Sequence, residues 1–243
     1  GDLCQIYTDV DGVYTADPRL VKDAHKLDEI TYDEMLELAS LGAQVLHNRS
    51  VEMAKRYNIN LEVLSSFSGQ PGTIVKEVTK TMEKPYVSGV AKDKDIARLA
   101  VVGLADEPGI AFKIFSILAR ERINVDIILQ SIGRGGTKDI SFTVRHSDMD
   151  RAKELLEERQ SALGFDHVDV VDDIAKVSIV GAGMVNNPGV ASQMFEALYN
   201  AGININMTST SEIKVSVLVN KEDTDRAVQA IHARFFNQFG NAN

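Results

Sequence analysis

The sequence predicts a mixed fold: an α/β block at the N-terminus, followed by two copies of one α+β unit. A segment that occurs twice is the main observation, since Ile96–Gly103 returns as Ile174–Gly181. Each copy continues into a Pro-Gly pair, a Phe at the same helical position and an Ile-Asn pair. Such an internal repeat indicates two related structural units. Repeated units of this kind usually sense a molecule rather than transform one, so regulation is the first functional hypothesis.

The composition is typical of a folded globular protein, with 243 residues of which 44% are hydrophobic and 25% charged. The formal net charge of -9 argues against nucleic acid and against an anionic membrane as partners, because both attract basic surfaces. No apolar stretch approaches the ~20 residues that a membrane-spanning helix needs. Cys4 is the single cysteine, so a cytoplasmic location without disulfides is expected, and Cys4 itself is expected to fill a core.

The N-terminal block, residues 1–83, alternates strands and helices. It begins with a strand over Leu3–Thr8, which is expected to be buried and which leads into a long loop. Thr31 and Glu34 form a capping box at the start of a helix, and Gly42 is its expected stop. The remaining elements are a helix and a strand, expected at 49–57 and 61–64, and Gly69, Pro71 and Gly72 mark a turn before Thr73–Val75. This is too little sheet for the block to close a core by itself.

Each repeat follows the βαββαβ order of a ferredoxin-like unit. The elements of the first copy are expected at 99–104, 108–122, 125–132, 139–145, 149–160 and 168–171. Those of the second copy are expected at 177–181, 188–201, 205–210, 213–219 and 223–236, without a last strand. Tyr86–Ala91 is strand-like and belongs to neither the block nor the first repeat, so we expect it to complete the second unit. The first unit, 98–172, is then inserted into the second, which comprises 85–94 and 174–240.

The loop before the first helix of each repeat carries the chemistry. Pro108 and Pro188 suit the first helical position, and Gly109 and Gly189 leave the following backbone amides uncovered. Unpaired N–H groups at a helix N-terminus favour a carboxylate, and Asp106 could meet an ammonium group. Together these features suit a zwitterionic amino acid. The alternative is that each Pro-Gly pair marks a helix start and nothing more.

Polar residues around the second strand form the other wall of the candidate site. The corresponding positions in the two copies are Asn124, Asp126 and Gln130 in the first, and Asn204, Asn206 and Thr210 in the second. Because Asp126 is charged and Asn206 is not, a cationic ligand such as lysine would favour the first copy by Coulomb attraction. The alternative is that these residues make only local hydrogen bonds at a strand end.

Two motifs imitate other sites. Gly181-Ala182-Gly183 follows a strand as a dinucleotide fingerprint does, but Asn186 stands where its third Gly is needed. Asp9-Val10-Asp11-Gly12 resembles the start of a calcium loop, but its later ligand positions are wrong. No metal site and no tightly bound cofactor are therefore predicted.

Longer stretches identify a family that the chain resembles. Tyr7–Arg19 and Gly42–His47 closely resemble the end of the aspartate kinase catalytic domain. The repeats resemble the paired ACT regulatory domains of that family, in the motifs Asp106–Gly109, Asn124–Asp126 and Ser209–Ile213. The resemblance covers essentially the whole chain, and it is closest to the Gram-positive-type enzymes that are regulated by lysine, threonine or both.

The resemblance implies a partial amino-acid kinase α/β domain followed by two nested ACT domains. It also implies phosphorylation of the L-aspartate β-carboxylate by ATP with Mg. The expected ATP contacts are Thr8, Asp9, Tyr14 and Arg19. The expected effector contacts are Asp106, Ala111, Asn124, Val125, Asp126 and Gln130 in one site, and Ala191, Ser192, Ile205, Asn206, Glu212 and Ile213 in the second ACT unit.

The chain departs from the family at Gln44, at Asn48, which replaces a common Pro and is expected to affect only the local turn, and in its missing opening segment. Gln44 stands where many members have Lys, which puts a nucleotide contact in doubt. The opening segment that carries the catalytic lysine is absent, so no catalytic residue is assigned and the chain alone is expected to be inactive. Because the chain begins with Gly1 inside a strand, we expect a cut C-terminal part of a monofunctional aspartate kinase.

The expected partners are L-lysine, L-threonine or both as effectors, and a second copy of the chain bound through the ACT units. Catalytic subunits could extend this homodimer into a larger assembly. The alternative function is a free-standing regulatory subunit that senses amino acids and performs no chemistry.

Overall fold

The computed structural model describes residues 3–41, 45–77, 86–131 and 135–237. These residues form three four-stranded sheets. The chain divides into two compact units, Gly1–Asp93 with Lys176–Asn243 and Lys94–Ala175. The first repeat is thus a unit of its own, between two stretches that fold together. Among the described residues, no helix combines the length and the apolarity that a bilayer crossing requires.

The strands and helices of the N-terminal block are β1 (Leu3–Thr8), β2 (Glu29–Thr31), α1 (Tyr32–Ser40), α2 (Asn48–Tyr57), β3 (Asn60–Ser65) and β4 (Thr73–Lys76). The next strand, β5 (Gly89–Asp93), belongs to a different sheet. The order within the block is β1-β3-β4-β2, in which β3 and β4 are antiparallel and the other neighbours are parallel. The three-residue β2 is missed by the sequence analysis, because it is too short to show an alternating pattern.

The capping box predicted for α1 is confirmed. The Thr31 hydroxyl accepts the N–H of Glu34 at 3.3 Å, and the Glu34 carboxylate accepts the N–H of Thr31 at 3.0 Å. The helix ends at Ser40. The stop signal predicted at Gly42 and the departure at Gln44 both lie outside the described residues.

The expectation that β1 is buried is wrong. Leu3 is 47% exposed and Tyr7 59% exposed, and Cys4, which was expected to fill a core, is exposed as well. β1 lies at the end of its sheet beside β3. An apolar strand is buried only where another layer covers it, and among the described residues of this strand only Ile6 packs partly against the core of the block.

The first repeat comprises β6 (Ile96–Ala105), α3 (Ile110–Arg120), β7 (Ile128–Gln130), β8 (Thr137–Arg145), α4 (Met149–Glu157), α5 (Gln160–Leu163) and β9 (His167–Val171). Its antiparallel sheet has the order β7-β8-β6-β9. The strand predicted over 125–132 is observed only as β7. The Thr143 hydroxyl accepts the N–H of Ile127, which interrupts the backbone hydrogen bonds between this segment and β8. Residue 132 lies outside the described ranges.

The second repeat comprises β10 (Ile174–Val180), α6 (Val190–Asn200), β11 (Met207–Thr210), β12 (Lys214–Asn220) and α7 (Thr224–Phe236). Its sheet has the order β11-β12-β10-β5, and β5 pairs antiparallel with β10. β5 takes the place that β9 holds in the first sheet, so a strand from before the first repeat completes the second sheet.

The N-terminal block and the second repeat pack together within the larger unit. The hydrophobic core of the block includes Ala91 from β5 and Val180 from β10. In return, the core of the second repeat includes Ala16 and Val21 from the long loop after β1. The block therefore closes its core with strands of the second repeat. This explains how the block can have a buried core although its own sheet is too small to close one.

Candidate functional site

Glycine precedes the first helix of each repeat. Gly109 and Gly189 are the N-cap residues of α3 and α6, with φ of 91° and 93°. A Cβ at either position would meet no atom within 4 Å, so the left-handed backbone conformation is what requires glycine there. The prediction that Pro108 and Pro188 occupy the first helical position is wrong, because a left-handed glycine lies between each proline and its helix.

The N-termini of α3 and α6 keep the chemistry predicted for them. A glycine N-cap has no side chain with which to accept a hydrogen bond from the first amides of the helix. These N–H groups and the helix dipole together favour an anion. Ala111 and Ala191, which are only partly buried, lie in the first turns of α3 and α6. A ligand carboxylate therefore has access to backbone donors in both repeats.

Asp106, which was expected to meet the ammonium group of a ligand, forms an ion pair within the chain. Lys138 Nζ lies 3.0 Å from Asp106 Oδ1, and the Lys138 side chain is 9% exposed whereas that of Asp106 is 49% exposed. The N–H of Asp106 also donates to the carbonyl of Gly136 at 2.9 Å. Lys138 is a candidate that the sequence analysis missed. No sequence signal identifies it, because its place opposite the buried Leu104 follows from the β6–β8 register.

The remaining predicted residues of the first repeat lie at both ends of its sheet. The N–H of Asp126 donates to the carbonyl of Thr143 at 3.1 Å, which fixes Asn124 and Val125 near the same end. Asp106 adjoins Gly136 at the other end, where α3 begins. From Gly136 to Thr143 the strand rises about 23 Å at ~3.3 Å per residue. One unit by itself therefore does not bring Asn124 and Asp126 to the α3 N-terminus.

Gln130 takes an intermediate position on the edge strand β7. It pairs with Ile140 of β8 and is exposed. Two apolar neighbours on the same strand are exposed as well, Ile128 at 50% and Leu129 at 43%. A polar contact and an apolar contact surface are thus available side by side on this edge.

The predicted site residues of the second repeat also lie at both ends of its sheet. Ser192 lies in the first turn of α6. The carbonyl of Ile213 accepts the N–H of Gly181 at 3.0 Å. Glu212 and Ile213 therefore adjoin the end at which β10 leads towards α6. At the other end, the N–H of Asn206 donates to the carbonyl of Leu218 at 2.8 Å. Ile205 lies beside Asn206 and packs partly against the core.

The glycines that imitate a dinucleotide fingerprint have a packing role. A Cβ at Gly181 would lie 2.2 Å from the carbonyl oxygen of Tyr86, and one at Gly183 would lie 2.8 Å from the Cα of Tyr86. Both positions therefore allow the backbone around Tyr86 to approach closely.

Two of the expected ATP contacts lie where β1 ends. Thr8 is the last residue of β1, and its hydroxyl accepts the N–H of Val10 at 3.1 Å. Asp9 follows and is exposed. Polar groups after a strand end are in the usual place for a ligand in an α/β sheet.

The other two expected ATP contacts make local hydrogen bonds. Burial and the hydrogen bond that its hydroxyl donates to Asp11 at 2.9 Å raise the pKa of Tyr14. Arg19 donates to Asp17 through Nε at 3.0 Å and through Nη2 at 2.9 Å. This fork raises the pKa of Arg19 and lowers that of Asp17. The Arg19 side chain is 90% exposed, so its remaining donors can reach a phosphate.

A surface depression of about 350 Å³ lies between α6 and α7, lined by Ala197, Asn200, Ala201, Ala230 and Arg234. None of the predicted site residues lines it. Its walls are the flanks of two helices rather than a helix N-terminus, so it does not offer the uncovered amides described above.

Comparisons with known proteins agree with this fold. The ACT domain family matches residues 99–160 and 177–235, and the amino acid kinase family matches residues 1–65. An aspartate kinase of Pseudomonas fluorescens is 49% identical over 235 residues, which cover 96% of this chain and 57% of that protein.

Two solved structures extend the comparison. The ligand-free regulatory subunit of aspartate kinase from Thermus thermophilus is 39% identical with a TM-score of 0.59, covering 62% of this chain and 99% of that chain. E. coli aspartokinase III in complex with lysine and aspartate (T-state) is 32% identical with a TM-score of 0.77, covering 97% of this chain and 52% of that chain.

A segment of an amino-acid kinase joined to two ACT units defines the class as a regulated amino-acid kinase or its regulatory part. The chain belongs to the aspartate kinase family. It spans 57% of the length of the Pseudomonas fluorescens relative. The expectation of a Gram-positive type stays a prediction.

Proposed function

We propose that this chain is the regulatory region of an aspartate kinase together with the end of its catalytic domain. Its role in this proposal is feedback inhibition through binding of L-lysine, L-threonine or both. The observation that carries it is the pair of uncapped helix N-termini, at α3 and α6, in tandem ACT units of an aspartate kinase family member. The relative from E. coli, whose structure contains lysine, supports an amino acid as the ligand.

The complete protein would phosphorylate the β-carboxylate of L-aspartate with ATP and Mg as substrate, in the cytoplasm. Within it, Thr8, Asp9, Tyr14 and Arg19 would contact ATP. The boundaries in this proposal are 1–83 for the end of the kinase domain, 98–172 for the first ACT domain, and 85–94 with 174–240 for the second.

The effector would bind at a junction of ACT units. The α-carboxylate would meet the amides near Ala111 of one unit, and Asn124 and Asp126 of the other would hold the ammonium group. The distance between the two ends of one sheet supports this arrangement, because a single unit keeps these groups about 23 Å apart at ~3.3 Å per residue. The effector contacts expected in the second ACT unit stay part of the same proposal.

A homodimer through the ACT units follows from the same argument. β7 is an edge strand with Ile128 and Leu129 exposed, and pairing two such edges around a twofold axis would cover both side chains. Light scattering at micromolar concentration is expected to give twice the chain mass. A monomer mass with and without amino acids would contradict the homodimer.

A free-standing regulatory subunit is the second candidate. The observation that favours it is the Thermus thermophilus regulatory subunit, 99% of which is covered by this chain. The intact mass and N-terminal sequence of the protein made in the source cell distinguish the two candidates, since a subunit would lack the catalytic half.

The proposed function is tested with an aspartyl hydroxamate assay on the complete protein and on this chain. The complete protein is expected to form product only with ATP and aspartate, and L-lysine, L-threonine or both are expected to inhibit it. This chain is expected to give none, since phosphoryl transfer needs positioned cationic groups that are not assigned to it. Product formed by the chain alone, or no product from the complete protein, would contradict the proposal.

A further inference from the structure

The segment that carries two of the proposed ATP contacts is part of the core of the second repeat. Ala16 is 4% exposed and Val21 is 7% exposed, and both belong to the buried cluster that includes Ile231 of α7. Ala16 lies between Tyr14 and Arg19, and Val21 follows them closely. The side chains of Tyr14 and Arg19, which are half-exposed and exposed, therefore project from a backbone that the second repeat holds in place.

Polar contacts attach the same segment to the second repeat. The carbonyl of Thr15 accepts the N–H of Val90 in β5 at 2.7 Å. The carbonyl of Leu20 accepts a hydrogen bond from the side-chain amide of Gln229 in α7 at 3.1 Å. The hydroxyl of Thr15 lies 2.9 Å from Nε2 of His232, which is also in α7.

The contact between Thr15 and His232 is the most buried of these. Thr15 is 3% exposed and His232 is 1% exposed, and the imidazole stacks on Phe236 with ring centroids 4.6 Å apart. Burial lowers the pKa of His232 to about 4, so its imidazole is neutral near pH 7. The Thr15 hydroxyl also accepts the backbone N–H of His25 at 3.0 Å, so its oxygen is held from two sides.

We infer that His232 is a positioning residue for ATP. Through Thr15 it fixes the segment from which Tyr14 and Arg19 project, so that helix α7 of an ACT unit sets the affinity of the kinase for its nucleotide. This inference rests on the proposed function, because the ATP contacts belong to it. A shift of α7 on effector binding would reach the nucleotide segment through one buried hydrogen bond and a shared core, which is a contiguous physical connection.

The test measures KM for ATP in the complete kinase. His232→Leu and Thr15→Val each remove one partner of this hydrogen bond, and each is expected to raise KM for ATP about three- to tenfold, as the loss of one hydrogen bond implies. The turnover number and KM for aspartate are expected to stay within about twofold. The double variant should resemble either single variant, since both remove the same contact.

Rescue separates positioning from a merely structural role. His232→Gln can donate to the Thr15 hydroxyl or accept from it, and Thr15→Ser keeps the hydroxyl, so both are expected to keep KM for ATP near the wild-type value. If His232→Leu does not fold, the test is the comparison of KM for ATP between Thr15→Val and Thr15→Ser. The matched control is His146→Leu, at an exposed histidine of the first repeat, which should change neither KM.

Two results would overturn the inference in distinguishable ways. If His232→Leu and Thr15→Val lower the melting temperature but leave KM for ATP unchanged, the contact is structural and the proposed function stands. If the wild-type complete protein shows no turnover with ATP and aspartate, the proposed function fails and the inference fails with it.

Discussion

The two repeats have the same strand order but different surroundings. The core of the first repeat, as far as the chain is described, consists of residues between Ala97 and Val168. The second repeat instead includes Ala16 and Val21 from the N-terminal block in its core, and gives Ala91 and Val180 to the core of the block. The same pattern of elements thus forms an independent unit in one place and a connector to the kinase segment in the other.

The repeats also differ in charge near the N-termini of α3 and α6. Counted from the Asp-Arg-Ala motif that both copies share, Lys138 corresponds to Ile213, and counted from the Pro-Gly pairs, Asp106 corresponds to Asn186. Both members of the ion pair in the first repeat are therefore neutral in the second. The two repeats are expected to differ in the amino acids that they accept.

The largest effect is expected from a core substitution in the independent unit. Phe142 is fully buried and packs edge-to-face on Phe115, with ring centroids 5.5 Å apart. Phe142→Ala should lower the stability of residues 94–175 by about 3–5 kcal/mol and leave the larger unit intact. Hydrogen exchange should show lost protection in β6 and β8 and unchanged protection in α7. Uniform loss across both units would contradict the comparison. Phe112→Ala, at a side chain 76% exposed, is the control and should stay within about 0.5 kcal/mol.

The next effect concerns a buried carboxylate that links α1 to the second repeat. Glu34 is 3% exposed, and its Oε1 accepts the hydroxyl of Ser88 at 2.6 Å and the N–H of Ala182 at 2.9 Å. Glu34→Gln places an amide donor among these donors and should cost about 2–3 kcal/mol at pH 7. Urea unfolding of the larger unit measures this cost. The exposed Glu52→Gln is the matched control, and equal midpoints for the two variants would contradict the linking role.

The stability difference between the wild type and Glu34→Gln is expected to depend on pH. Burial alone would raise the pKa of Glu34, but the hydrogen bonds from Ala182, Ser88 and Thr31 lower it overall. A carboxyl with a lowered pKa contributes stability above its unfolded pKa of about 4.3 and loses it as the pH falls through the folded value. The difference between wild type and Glu34→Gln should therefore shrink below about pH 4. A difference that grows on acidification would contradict this account.

A smaller effect, in a different pH range, is expected from His232. Its pKa is lowered to about 4, mainly by burial, against about 6.5 in an unfolded chain. The neutral imidazole thus contributes stability above pH 6.5, which is lost as the pH falls towards 4, by about 1 kcal/mol at pH 5.5. His232→Gln should remove this dependence in the larger unit. Urea midpoints for the variant that keep the wild-type slope between pH 6.5 and 4 would contradict it.

The smallest effect on stability is expected from the ion pair of the first repeat. Lys138→Met leaves Asp106 half-exposed and should cost about 0.5–1 kcal/mol. The uncompensated carboxylate should then improve binding of L-lysine relative to L-threonine, as titration calorimetry can measure. Lys138→Arg, which keeps the charge, is the control. An unchanged ratio of the two dissociation constants in Lys138→Met would contradict the assignment of different preferences to the two repeats.

The sequence predicts well those elements that have strong local signals. The bounds of α2, α6 and α7 agree with the prediction within two residues, because each helix has a clear apolar face and a marked start. The uncovered helix N-termini were predictable as well, since the Pro-Gly pairs are local. The exposure of β1 and of Cys4 was not, because burial depends on what packs against a strand rather than on its own residues.

The long-range contacts of the candidate sites were not predictable from the sequence. Thr15 and His232 are 217 positions apart, and no local pattern relates them. The pair Lys138–Asp106 depends on a shift of register between Val101 and Leu104, which aligns Lys138 with the loop before α3. The separation of Asp126 from the α3 N-terminus likewise follows from strand direction, which the spacing of motifs along the chain does not reveal.

The central claim is that this chain binds amino-acid effectors at its ACT units, and a thermal-shift panel of the twenty amino acids tests it most directly. L-lysine, L-threonine or both should raise the melting temperature, because a ligand at about 100 times its dissociation constant adds ~2.7 kcal/mol. Asp126→Ala should remove most of the shift, whereas Cys4→Ala should keep it. If neither amino acid stands out, or if Asp126→Ala responds like the wild type, the claim or its placement is contradicted.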